Sequence, residues 1–120
     1  MTQDLRKRTK QFALRIIKVY SALPKTDVAH VIGKQVLRSG TSIGAHYREA
    51  YRSRSDAEFV SKIEVALQEL DETLYWLELM IESELFPDSK LNSLIQETNE
   101  LIAIFVTSVK NVKNRQNSKK

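Results

Sequence analysis

Apolar residues return at alternating steps of three and four positions through four long stretches of this chain. The first reads Leu5, Thr9, Phe12, Ile16, Val19, Leu23, with Ala13, Ile17 and Tyr20 widening the face. The second reads Ile32, Val36, Ser39, Ile43, His46 or Tyr47, Ala50. The third reads Phe59, Ile63, Ala66, Leu70, Leu74, Leu77, Ile81, broadened by Val60, Leu67 and Met80. The fourth reads Leu91, Leu94 or Ile95, Thr98, Leu101 or Ile102, Phe105, Val109, Val112. Such spacing puts side chains on one face of an α-helix, whereas a strand would need alternation. Three glycines and two prolines are too few for an all-β fold rich in turns. The pattern predicts an all-α protein, an antiparallel up-down four-helix bundle.

Punctuation sets the boundaries. Helices are predicted over residues 2–23, 27–52, 56–84 and 89–112. Pro24 stops the first, Thr26 or Asp27 caps the second, and Ser55 with Glu58 makes a capping box for the third. Pro87-Asp88-Ser89 opens the fourth. The 120 residues suffice for one domain with its own core, expected over residues 1–113, with a polar, basic tail at 114–120 expected to fray or be disordered.

All three glycines fall inside the second helix, on the stripe Gly33, Leu37, Gly40, Gly44, Tyr47, Tyr51. Each costs a helix roughly 0.5–1 kcal/mol relative to alanine, about 2–3 kcal/mol together. A break at residues 38–42 with Gly40 ending one helix and Ser42 capping another is the alternative, but the heptad phase passes through Gly40 without a slip. Close approach of another helix or subunit along this stripe is therefore expected. Ile104 and Val106 add apolar surface beside the core face of the fourth helix. The surplus fits either an oligomer or one wide core.

Charge is segregated. Residues 1–55 carry a net charge of +9, residues 56–84 a net of −8 and residues 85–120 a net of +3. A third stripe of the second helix, Lys34, Arg38, Thr41, Ala45, Arg48, Arg52, lies about 200° from the apolar seam at 100° per residue. Long cations separated by small residues suit a phosphate backbone, and Arg54 with Arg6, Lys7, Arg8 and Lys10 could extend the surface. The alternative is a solvated face paired with the acids of the third helix. Lys110, Lys113, Arg115, Lys119 and Lys120 form a second cationic group, which could equally be a solubilising end.

Other chemistries find less support. There is no cysteine, so neither disulfides nor thiolate metal sites can form. No apolar run is long enough to span a membrane and the first residues lack the apolar run of a signal peptide, so a cytoplasmic protein is expected. Glu64, Glu69, Asp71, Glu72, Glu78, Glu82 and Glu84 do not come with the histidines of a di-metal carboxylate bundle, and no metal or cofactor is expected. His46 with Glu49 supplies two ligands at most and reads as a structural histidine. A helical nuclease using Arg38 and His46 would need a closer pairing than their spacing allows. Tyr47, Tyr51, Tyr75 and Trp76 could stack on bases, though packing is the commoner use of such residues.

One segment is more specific. Residues 35–50 read Gln-Val-Leu-Arg-Ser-Gly-Thr-Ser-Ile-Gly-Ala-His-Tyr-Arg-Glu-Ala, followed by Phe59 and, over residues 66–77, Ala-Leu-Gln-Glu-Leu-Asp-Glu-Thr-Leu-Tyr-Trp-Leu. Across nearly its whole length the chain resembles the four-helix-bundle proteins first met as reading frames inside intervening sequences of bacterial 23S ribosomal RNA genes. That family commonly has Asn where this chain has His46. The resemblance implies a four-helix bundle assembling into a homopentamer and no enzymatic activity. It also implies similarity to the accessory variability protein of diversity-generating retroelements, a basic pentamer that binds nucleic acid and partners a reverse transcriptase. Carried onto this chain, the implied polyanion contacts are Arg38, Arg48 and Arg52, with Lys34 and Arg54 beside them. The resulting expectation is a non-enzymatic oligomer binding RNA or DNA through phosphates. The alternative is an adaptor that binds another protein through its charged faces.

Overall fold

The computed structural model describes residues 4–118, which form four helices joined by short loops: α1 (Leu5–Ser21), α2 (Asp27–Tyr51), α3 (Asp56–Glu82) and α4 (Asp88–Ser118). Three of them begin at a short polar side chain that accepts from a backbone N–H left unpaired by helix geometry. Asp4 accepts from Lys7 N, Thr26 from Ala29 N and Ser55 from Glu58 N, at 3.2, 3.2 and 3.1 Å. Thr26, rather than Asp27, is thus the cap of α2. The expected start of the first helix at Thr2 lies outside the described residues.

α3 stops at Glu82, before the expected Glu84, because Glu84 takes the left-handed conformation with φ 61°. Glu84 N donates to Ile81 O at 3.0 Å and Leu85 N to Met80 O at 2.9 Å. This is the paired closure of a Schellman motif, built on a residue with a Cβ where glycine is usual. α4 departs the other way. Its expected end is Val112, but the helix continues through residues 113–118, which include most of the tail expected to fray or be disordered. No Gly or Pro interrupts them, extending a helix is far easier than starting one, and side chains tie this end to α3. Lys113 pairs with Glu64 at 3.4 Å and Arg115 with Asp56 at 3.1 Å. Lys119 and Lys120 lie outside the described residues.

Neighbouring helices run antiparallel in an elongated bundle of 55 × 23 × 21 Å. The α2–α3 contact is the most extensive and the α1–α4 contact the least. The core runs the length of the bundle through Phe12, Ile16, Val36, Ile43, Ile63, Leu70, Leu77, Leu91, Leu101 and Phe105. In α4 the open choices resolve to Leu94 and Leu101. In α3 the buried seam passes through Thr73 and Met80 instead of Leu74 and Ile81. Thr73 is tolerated there because its hydroxyl lies 2.9 Å from Ser39 Oγ on α2 and 2.8 Å from Glu69 O on its own helix.

α2 is unbroken through Gly40, and its glycine stripe faces α1 of the same chain. A Cβ at Gly33 would meet Leu23 and Tyr20, one at Gly40 would meet Ile16, and one at Gly44 would meet Thr9. The stripe then reaches α4, where Tyr47 stacks on Phe105 with ring centroids 5.6 Å apart. The glycine stripe is thus used within the chain and is not a spare face for another subunit. Apolar surface remains elsewhere. Ile17, expected to widen the core face of α1, is exposed together with Leu14, as are Val28, Val31 and Val106. Among the described residues no helix is long and apolar enough to cross a membrane.

Candidate nucleic-acid interface

The close packing of α1 on α2 decides where the cations go. Gly44 and Ala45 on α2 face Thr9 and Ala13 on α1, and these small residues leave a trough between the helices. Arg6 and Lys10 stand on one bank and Arg48 on the other. The trough continues past Lys7 and Arg52 to the N-terminal end of α1, as two adjoining hollows of about 400 and 410 Å³ that share Arg6, Lys10 and Arg48. Five cations line it against a single acid, Asp4, which lies 3.9 Å from Arg6. Among the described residues no carboxylate comes within ion-pair range of Lys7, Lys10, Arg48 or Arg52. Five like charges held together with a single counter-charge make a strongly positive trough.

The residues of the stripe read from the sequence meet different surroundings. Lys34, Arg38, Arg48 and Arg52 are all exposed, as the helical spacing requires. Arg38, however, turns toward α3. Its guanidinium reaches Glu72 Oε1 at 2.8 Å and Glu69 Oε2 at 3.3 Å. There the pairing alternative holds. Lys34 lies beyond the trough, toward the other end of the bundle. Arg54 sits in the loop after α2 and lines a separate hollow with Tyr51, Phe59 and Arg115. Of the five residues singled out, the structure therefore brings only Arg48 and Arg52 into the trough. Arg6, Lys7 and Lys10 join them from α1.

Arg8, next to these in sequence, points away. It reaches Glu97 on α4 through Nε and Nη2 at 2.7 and 2.6 Å, and Glu100 at 3.1 Å. The Glu97 bonds hold the guanidinium even more firmly protonated than usual. This clamp braces the otherwise sparse α1–α4 contact and so holds α1 in place as one bank of the trough.

The other candidates resolve as structural contacts. Lys62 donates to Glu49 at 2.7 Å, and that bond, with His46 Nδ1 3.6 Å from the same carboxylate, holds Glu49 below the usual carboxylate range. Arg38 and His46 are thus engaged by different acids. Among the described residues no three His, Cys, Asp or Glu side chains converge as a metal site.

One feature of the trough is not legible from helix periodicity. The Arg6 guanidinium lies over the ring of Tyr51, 4.1 Å from its centroid. Tyr51 ends α2 and Arg6 lies in the first turn of α1, and only the antiparallel register of these helices puts them side by side. The same holds for Arg54 and Arg115, which line one hollow because α4 returns along α3.

Comparison with known proteins agrees with this fold. A solved structure described as a protein of unknown function from the S23 ribosomal protein family of Bacteroides thetaiotaomicron is 38% identical and superimposes with a TM-score of 0.82. The match covers 88% of this chain and 97% of that one. No curated protein matches. The sequence model of the 23S rRNA-intervening sequence protein family matches residues 2–107, and the chain belongs to that family.

Proposed function

We propose that this protein is a non-enzymatic, cytoplasmic, oligomeric protein that binds RNA or DNA through its phosphates. The observation that carries this reading is the trough between α1 and α2, where Arg6, Lys7, Lys10, Arg48 and Arg52 gather with only Asp4 to oppose them. Phosphate contacts of this kind position a nucleic acid without reading its sequence. The homopentamer implied by the family resemblance would present five such troughs and multiply a modest single-site affinity. Exposed Leu14, Ile17, Val28 and Val31 supply apolar surface for assembly.

Salt dependence tests the reading. Binding of a labelled oligonucleotide should weaken steeply with salt, with a log–log slope of about −0.7 per phosphate contacted on a single strand. Reversing two charges, Arg48→Glu with Arg52→Glu, should lower affinity by at least about tenfold. An affinity unchanged between low and moderate salt would overturn it. Light scattering at a monomer mass would overturn the oligomer.

The second reading is an adaptor that docks a protein, such as a polymerase or reverse transcriptase, by its charged faces. The acidic face of α3 favours it, since Asp71 and Glu78 are exposed and, among the described residues, lie beyond ion-pair range of any cation. Co-purification that recovers a protein and no nucleic acid would support it over the first.

A further inference from the structure

Beside the cationic trough the structure holds a flat, accessible aromatic surface. Tyr51 is 55% exposed at the last position of α2, and its outer neighbour is the Arg6 guanidinium, 4.1 Å from the ring centroid. On the inner side Tyr51 leans on Tyr47, centroids 6.5 Å apart, and Tyr47 is stacked on the buried Phe105. The exposed ring is thus braced from the core outward, with little freedom left to lose on binding a planar partner.

We propose that Tyr51 and Arg6 form a stacking platform for an unpaired base, which makes the trough selective for single-stranded over duplex nucleic acid. This rests on the reading of the trough as a phosphate-binding surface. A base can take the place of the Arg6 guanidinium on the ring, because both are planar cation- or π-stacking groups and the guanidinium carbon already sits at stacking distance, 4.1 Å from the ring centroid. Arg6 is then released toward the adjoining phosphate, where Lys10 and Arg48 hold the backbone. A duplex cannot offer this contact, since its bases are stacked on one another. Stacking tolerates any base, so the platform adds strand selectivity without sequence specificity.

The test compares an oligothymidine with a mixed-sequence duplex of equal length, binding the full-length protein at one salt concentration. The single strand should bind about tenfold more tightly, the magnitude of one base–aromatic stack. Tyr51→Ala should remove that preference, weakening single-strand binding about tenfold more than duplex binding, while Tyr51→Phe should keep it. Circular dichroism of each variant checks the fold. Equal affinity for both forms, or a Tyr51→Ala effect that is the same on both, overturns the proposal. The double reversal Arg48→Glu with Arg52→Glu separates the two levels of inference. If it weakens both forms and Tyr51→Ala weakens neither, stacking fails and the phosphate trough stands. If it weakens neither form, the trough itself fails.

Discussion

Gly40 lies so close to the fully buried Ile16 that a Cβ at position 40 would come within 2.7 Å of Ile16 Cγ1 and 3.0 Å of Cγ2. Both atoms are near the backbone of a β-branched residue and cannot swing away. Gly33 differs, because the atom 2.7 Å from its would-be Cβ is Leu23 Cδ1, the end of a half-buried, flexible side chain. Alanine gains about 1 kcal/mol in helix propensity at either site, whereas overpacking a tight core costs about 1–3 kcal/mol. Gly40→Ala should therefore lose up to about 2 kcal/mol, and Gly33→Ala should lose less than Gly40→Ala does. Urea unfolding of the two variants checks the order.

Glu84 holds the left-handed position that closes α3. Glycine adopts that conformation without the clash its Cβ creates, at a difference of about 1 kcal/mol. Glu84→Gly should raise stability by about 0.5–1 kcal/mol, read as a higher melting temperature. A drop would mean that the Glu84 side chain contributes more than its backbone geometry costs.

Ser39 and Thr73 form a buried hydroxyl pair between α2 and α3. Ser39 also lies 3.0 Å from Gln35 O. Either Ser39→Ala or Thr73→Val should cost about 1 kcal/mol, and the double variant should cost less than the sum by about 0.5–1 kcal/mol. Full additivity in a double-mutant cycle would show that the two hydroxyls do not interact.

Arg38 and Arg48 come from the same stripe but meet different surroundings. Because Arg38 is already paired with Glu69 and Glu72, Arg38→Ala should alter oligonucleotide affinity less than Arg48→Ala does. Its stability cost should be at most about 1 kcal/mol, as the pair is half-exposed. Titrations of both variants at one salt concentration decide the order.

Tyr47 predicts an alkaline limit to stability. Burial disfavours its phenolate and raises its pKa above the ordinary value of 10.0. A group with a raised folded-state pKa contributes fully below the unfolded value, and the contribution is lost as pH rises through the folded one. Melting temperature should therefore fall above about pH 10, and Tyr47→Phe, which has nothing to ionise, should fall less. Parallel curves for the two proteins would show that other groups set the limit.

The residues show where reading along the chain succeeds. The exposure of Lys34, Arg38, Arg48 and Arg52 follows from helical spacing alone, as does the seam of α4 apart from the choices between Leu94 and Ile95 and between Leu101 and Ile102. The seam of α3 moved to Thr73 because a polar residue can be buried once a partner hydroxyl sits opposite, and Ser39 is opposite only in the folded bundle. Residues 113–118 gave no apolar signal, yet they are helical with ion pairs to α3.

Periodicity determines which residues share a face, because that is a property of one helix and its pitch. From it the sequence by itself determined four helices, an apolar face on each, and a glycine stripe and a cationic stripe on α2. Only the tertiary structure decided what each face meets. The register between helices turned Arg38 to the acids of α3, opened the trough between Arg48 and the cations of α1, and laid Arg6 on Tyr51. Those pairings depend on the relative position of segments far apart in the chain, where side-chain packing, and no local preference, sets the distance.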